Sequence, residues 1–268
     1  MKIIGISISI IFLLISSASA WPPPKTDEPK VTKAENQEAR ELALQFIIRL
    51  SETKALSGVV NDLYFTDFIE RFRKSKANDI GAAAPVDLYF SPGLDYNSRL
   101  LTEGDSKDWA RLYLAVNDFL FFGSVSFLKN SSDETRDIKP TDIYPAAVMK
   151  LLSSNPILAN MIVRKEGAKA IGTVEEMRGV TAMLEQAVTM MREQQKSDPP
   201  LIKHKDELIK TAKTDAFFKP RLEVTDKDFF GFPKGTRVLF VKTPLGFELM
   251  LAREQDRLRV FWTEIVHD

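Results

Sequence analysis

The sequence predicts an α+β fold, predominantly helical with a C-terminal three- to four-stranded antiparallel meander, and three observations carry that expectation. Apolar residues recur at helical spacing through residues 34–214. The last fifth of the chain, 220–266, switches to short runs rich in β-branched and aromatic residues, separated by turn-forming residues. Helices first and strands last is the element order of an α+β domain, and with no cysteine among 268 residues packing alone must hold it together.

The chain opens with Lys2, an apolar core from Ile3 to Ile15, and Ala18-Ser19-Ala20, the small residues that a signal peptidase reads. Residues 1–20 are therefore expected to be a cleavable signal peptide, cut between Ala20 and Trp21. The apolar core falls short of the roughly 20 residues that a membrane-crossing helix needs. No later stretch qualifies either, so no membrane span is expected once the leader is gone. Residues 21–33, with Pro22, Pro23, Pro24 and Pro29 among charged residues, have the composition of an extended polyproline spacer. The remainder, 34–268, is expected to be a single α+β domain, helical over 34–214 with its sheet over 220–266.

The first helix is expected over Ala34–Leu50, where Ala39, Leu42, Ala43, Phe46, Ile47 and Leu50 form one stripe. A second is expected over Leu56–Lys74, with Val59, Leu63, Phe65, Phe68, Ile69 and Phe72 on a broad apolar face. Residues 77–101 read as loop, punctuated by Gly81, Pro85, Pro92 and Gly93 around a short apolar run at Val86–Phe90. Ser106 is expected to cap a third helix through Trp109, Leu112, Tyr113, Val116, Phe119, Leu120 and on toward Leu128. Its end, Phe119–Phe122, is apolar all round, which places this helix at the core.

Asn130–Lys139 is polar and reads as loop; Asn130-Ser131-Ser132 within it is a glycosylation acceptor in a eukaryotic host. Shorter helices are expected at Asp142–Leu152 and at Pro156–Val163, with Pro156 in the first turn. Thr173 and Glu176 have the spacing of a capping box, opening a long helix to about Gln195, and a further helical segment is expected at His204–Lys213. The strands are Thr236–Lys242, Phe247–Arg253 and Leu258–Ile265, joined by a fourth at Arg221–Val224.

Composition excludes several function classes. Loss of Lys2 leaves 36 basic against 37 acidic side chains, a balance unlike that of nucleic-acid-binding proteins. Zero cysteine excludes thiol nucleophiles, dithiol redox chemistry, iron–sulfur clusters and cysteine-ligated zinc. His204 and His267 are the only histidines, and neither has a second one four residues away, so no metal centre and no cofactor is expected.

Gly167 and Gly172 have the outer spacing of a phosphate-binding loop, but Thr173 and Val174 stand where the motif needs a lysine and a hydroxyl. Ser51–Lys54 and Ser126–Lys129 have the spacing of a serine–lysine dyad. The companion elements of the penicillin-binding pattern are missing, because Lys242-Thr243 is followed by Pro244 and no Ser-Asp-Asn occurs. Asp62, Asp67, Asp87, Glu175 and Glu176 are available for paired-carboxylate chemistry, a pairing that spacing alone does not establish.

Six of the eight methionines lie between Met149 and Met191. Thioether clusters bind soft copper, fill irregular cores, or line an adaptable groove. The residues that would line an apolar pocket between the helices and the sheet are Phe119, Phe121, Phe122, Met183, Met190 and Trp262; plain core packing is the alternative for each.

The two ends of the chain, Ala34–Leu50 with the helix through Phe72 and the meander Thr236–Ile265 with Phe261-Trp262 near its end, together resemble the nuclear-transport-factor-like or cystatin-like fold group. That resemblance implies an N-terminal helix packed into the concave face of a bent antiparallel sheet. It further implies binding of a small molecule or partner in the concavity. The helical region 106–195 has no counterpart in the pattern, and no catalytic motif comes with it.

The expected function is thus an exported, soluble, non-enzymatic ligand-binding or protein-interaction module of the periplasm or extracellular space, taking a small apolar ligand or an envelope protein. The alternative is a hydrolase of cell-envelope or small-molecule substrates, using an Asp/Glu pair or a Ser–Lys dyad.

Overall fold

A computed structural model of the chain describes residues 30–79, 94–97, 99–130, 140–163, 169–194, 209–210, 218–226, 228–243 and 247–265. The expected leader, most of the spacer, the run Val86–Phe90, Asp87, Gly167, His204 and His267 lie outside the described residues. The fold is α+β, with helices first and a C-terminal four-stranded antiparallel sheet. No helix among the described residues is long and apolar enough to cross a membrane.

Helix α1 spans Lys33–Thr53 and begins with a full capping box: the Thr32 hydroxyl accepts the Glu35 amide at 3.1 Å, and the Glu35 carboxylate accepts the Thr32 amide at 2.9 Å. It ends at Lys54, which takes a left-handed φ of 50°. Ala39, Phe46, Ile47 and Leu50 are fully buried along one face; each of the larger three contributes about 2 kcal/mol by leaving water.

The single helix expected over Leu56–Lys74 is two, α2 at Ser57–Leu63 and α3 at Phe68–Asp79. Between them Tyr64 takes an extended conformation and bridges in parallel to Val260, and the Phe65 amide donates to the Val260 carbonyl at 2.8 Å. The apolar spacing continues through the break, but a sheet edge captures the backbone there. A short helix α4, Leu100–Glu103, begins at the end of the stretch 77–101 expected as loop.

Helix α5 spans Ser106–Asn130. Its cap is Asp105 rather than Ser106, since the Asp105 carboxylate accepts the amides of Lys107 and Asp108 at 2.8 Å each, while the Ser106 hydroxyl donates to Glu70 at 2.6 Å. As expected, α5 is central: Trp109, Leu112, Tyr113 and Val116 are fully buried. The helix expected at Asp142–Leu152 is divided into α6, Pro140–Ile143, and α7, Ala146–Ser153. Pro145 stands at the division, where it offers no amide to a continuing helix.

Helix α8, Pro156–Val163, keeps its proline in the first turn, and Asn155 Oδ1 accepts the Ile157 amide at 2.9 Å. Helix α9 spans Val174–Gln194. Half of its expected capping box forms, with Thr173 Oγ1 accepting the Glu176 amide at 3.1 Å. The Glu176 carboxylate turns instead to the Gly172 amide at 2.9 Å and to Lys169. Packing of α9 against α5 is the main helix–helix contact, flanked by the two-pronged pairs Arg178–Asp108 and Arg111–Glu185. These pairs sit at the surface, where solvent screens them and their contribution to stability is small.

The sheet is a meander of β1, Arg221–Val224, β2, Arg237–Lys242, β3, Phe247–Glu254, and β4, Arg257–Ile265, in that spatial order. A bulge between Met250 and Leu251 shifts the β3–β4 register. Helix α1 lies against β2 and β4. Arg237 grips the Glu35 carboxylate with two hydrogen bonds of 2.9 and 2.8 Å, and the Glu38 carboxylate accepts the Leu258 amide at 2.7 Å. Phe46 of α1 meets Phe247 edge-on at 5.6 Å, which places one contiguous apolar core between helices and sheet.

Candidate functional site

Among the described residues, three polar groupings bear on function. The first is a set of buried hydroxyls, Tyr64, Tyr113 and Thr263, in which the Thr263 oxygen lies 2.9 Å from each phenol oxygen. It ties the Tyr64 segment, α5 and β4 together, and all three groups are enclosed by core.

The second is Asp118 on α5, which is 5% exposed and accepts the Leu56 amide at the start of α2. Burial pushes its carboxyl up to about 6, against the opposing pull of the Leu56 amide and of Arg192. Asp118 acts as a cap for α2 supplied from another helix, because Leu56 itself offers no capping side chain.

The third lies on the sheet. Cross-strand register sets Lys242 opposite Glu248 and Glu248 opposite Glu264, so these three side chains share one face. Arg221 on β1 completes the row: its guanidinium lies 4.3 Å from the centre of the Phe240 ring and 3.9 Å from the Glu248 carboxylate. The Glu248 side chain is only 16% exposed. Burial, and then the Glu248 charge, push the Glu264 carboxyl up to about 7. Glu264 thus carries a proton near neutrality directly across from a second, half-buried carboxylate, an arrangement found in acid–base pairs.

Beside this row the sheet ends at β1, whose outer side no other strand pairs with among the described residues. On β1 Arg221, Glu223 and Val224 are exposed. Val224, at 40% exposure, is the one large apolar side chain that the described residues leave open to solvent. The opposite edge, β4, is met at Val260 by the chain's own Tyr64–Phe65 segment.

The six residues expected to line a pocket lie in different surroundings. Phe119 stacks on Tyr144 at 4.8 Å. Phe121 meets Phe122 at 6.0 Å and Phe247 at 5.8 Å. Trp262 stacks on Phe72 at 4.7 Å and also touches Tyr113 and Phe230. These four are buried in the core, whereas Met183 and Met190 are half-buried on α9. Of the other methionines, Met149 and Met161 pack against the same core and Met177 and Met191 lie within it.

Ser51 is buried on α1 while Lys54 leaves that helix, so the two do not share a helical face. The side chains of Ser126 and Lys129 lie outside the described residues. Asp62 pairs with Arg49, and Asp67 with Arg71 at 2.8 Å. Among the described residues no group of three or more His, Asp or Glu is placed to hold a metal ion.

Sequence reasoning missed Glu248, Glu264 and Asp118. A carboxylate within an otherwise apolar stripe or strand was the available signal, and each of these three residues carries it. Compared with known proteins, the chain matches no protein-family model, no curated protein and no solved structure.

Proposed function

We propose that the mature chain is an exported, non-enzymatic interaction module that binds a partner along the edge strand β1. The observation that carries this function is the unequal treatment of the two sheet edges. The chain sets its own Tyr64–Phe65 segment against β4 at Val260, whereas among the described residues no strand pairs with the outer side of β1, and Val224 is exposed. Open edges are a hazard that folds ordinarily cover, and they are also the element to which an extended peptide adds as a further strand.

Export follows from the leader expected at residues 1–20, with the periplasm or extracellular space as its destination and an envelope protein as the class of partner. Binding of an apolar ligand between helices and sheet has less support, since Phe119, Phe121, Phe122 and Trp262 are packed against protein.

Amide hydrogen exchange tests the function. The Leu222 and Val224 amides should exchange freely in dilute purified protein and slow by at least about tenfold when the protein is held in its own exported fraction. Equal exchange in both settings would overturn it, and native mass spectrometry of the same sample gives the mass of the partner.

One observation favours a second function, hydrolysis by a carboxylate pair: the Glu264 carboxyl, pushed up to about 7, stands directly across the strands from Glu248. Its test is turnover of glycoside and ester substrates by the mature chain, lost in Glu264→Gln. Absence of turnover across such a set removes that function.

A further inference from the structure

We propose that β1 pairs antiparallel with β1 of a second copy of this chain, centred on Leu222, joining the two sheets into one; this rests on the edge-strand function above. The backbone sets the register. The Thr225 amide donates toward β2, to the Thr236 carbonyl at 3.0 Å. By the two-residue alternation of an antiparallel strand, Leu222 and Val224 then turn their amide and carbonyl groups to the open side.

With Leu222 opposite its own counterpart, the two Leu222 residues exchange a pair of backbone hydrogen bonds. Each Val224 amide reaches the carbonyl of the second copy's Pro220. Pro220 has no amide to donate, which costs nothing in this register beyond one bond on each side.

The side chains agree with that register. Arg221 falls opposite the second copy's Glu223, and Glu223 opposite its Arg221, on one face of the joined sheet. The strand is self-complementary in charge because its arginine and glutamate stand symmetrically about Leu222, and opposite charges directly across an antiparallel pair stabilise it. In the single chain Arg221 turns back along its own strand to Glu223, so the pairing exchanges partners without stranding a charge. Strands of four residues give a small contact, so association is weak and concentration-dependent.

The absence of cysteine makes the register directly testable. In the paired state the two Leu222 Cα atoms stand about 5.5 Å apart, within the roughly 4.4–6.8 Å that a disulfide spans. The two Val224 positions are offset by roughly 13 Å along the strands. Mild oxidation should therefore link Leu222→Cys into a covalent dimer and leave Val224→Cys monomeric.

Surface variants, which leave the core untouched, provide the second measurement. By sedimentation over a range of concentrations, Arg221→Glu or Glu223→Arg should raise the dissociation constant roughly tenfold, and the double swap should restore it. A wild-type chain that stays monomeric throughout, charge variants that associate like wild type, or cysteine variants that oxidise alike would each overturn self-pairing. If the pure chain is monomeric while its β1 amides are protected in the exported fraction, the interaction function stands and the second copy is the wrong partner. If those amides exchange freely in both settings, both fall.

Discussion

The Tyr64 hydroxyl donates to the Thr263 hydroxyl at 2.9 Å, joining residues 199 positions apart in the chain. Tyr113 meets the same oxygen at 2.9 Å. Burial pushes the Tyr64 phenol well above its ordinary range and Tyr113 up to about 12, so both phenols stay protonated and hydrogen-bonding. Thr263→Val keeps the shape of the site and removes the shared partner. A loss of roughly 1–3 kcal/mol is expected, with Thr263→Ser much closer to wild type. Equal melting temperatures for Thr263→Val and wild type would mean that this contact does not stabilise the fold.

Glu264 makes stability fall as pH rises. Its folded carboxyl titrates at about 7 against an ordinary value of 4.5. Between those values the folded state binds more protons than the unfolded one, so stability is greatest below 4.5 and declines through 7. Glu264→Gln should flatten that decline and gain on the order of 1–3 kcal/mol at pH 8 relative to wild type. Denaturant titrations at pH 5 and pH 8 measure it, and an unchanged slope in the variant would assign the pH dependence elsewhere.

Glu35 has the opposite sign. Hydrogen bonds from Arg237, foremost, and from Thr32 hold its carboxyl down to about 2 against the cost of burial. Its contribution is complete above 4.5 and is lost as pH falls toward 2. A double-mutant cycle with Glu35→Gln and Arg237→Met should return a coupling of about 1–2 kcal/mol at pH 7, discounted because the Arg237 side chain is 38% exposed. Coupling that persists unchanged at pH 2 would contradict the assignment.

Two glycines separate by what surrounds them. A methyl at Gly104 would lie 2.7 Å from Trp109 Nε1 and 2.9 Å from Met177 Cε, both in fully buried side chains. Gly104→Ala should cost about 1–3 kcal/mol. A methyl at Gly123 meets the Tyr144 hydroxyl at 2.5 Å and its ring carbons at 3.1 and 3.2 Å, in a ring stacked on Phe119. Relief of a mid-helix glycine contributes about 1 kcal/mol the other way. Gly123→Ala should therefore fall within roughly 1 kcal/mol of wild type, and thermal melts of the two variants give the order.

The sequence by itself determined the class of fold, the stripe of α1, the central place of α5, the Pro156 start of α8 and the four strands, with β1 at Arg221–Val224. Those features follow from periodicity and local turn chemistry, which are properties of neighbouring residues. Tertiary structure decided what depends on distant partners. Tyr64 and Phe65 continue an apolar helical pattern, yet the open edge of β4 draws them into extended backbone. Asp118 caps a helix begun 62 residues away. Most tellingly, the hairpin runs in one register from Glu254–Arg257 to Leu251–Val260 and then shifts by a residue at the bulge. Without that shift Glu248 would face Thr263; with it, Glu248 faces Glu264. The extra residue, Phe261, packs against Phe230 at 5.4 Å and Phe232 at 4.9 Å. A carboxylate pair on one strand pair is thus created by the aromatic packing of a third segment, and no pattern within the strands themselves encodes it.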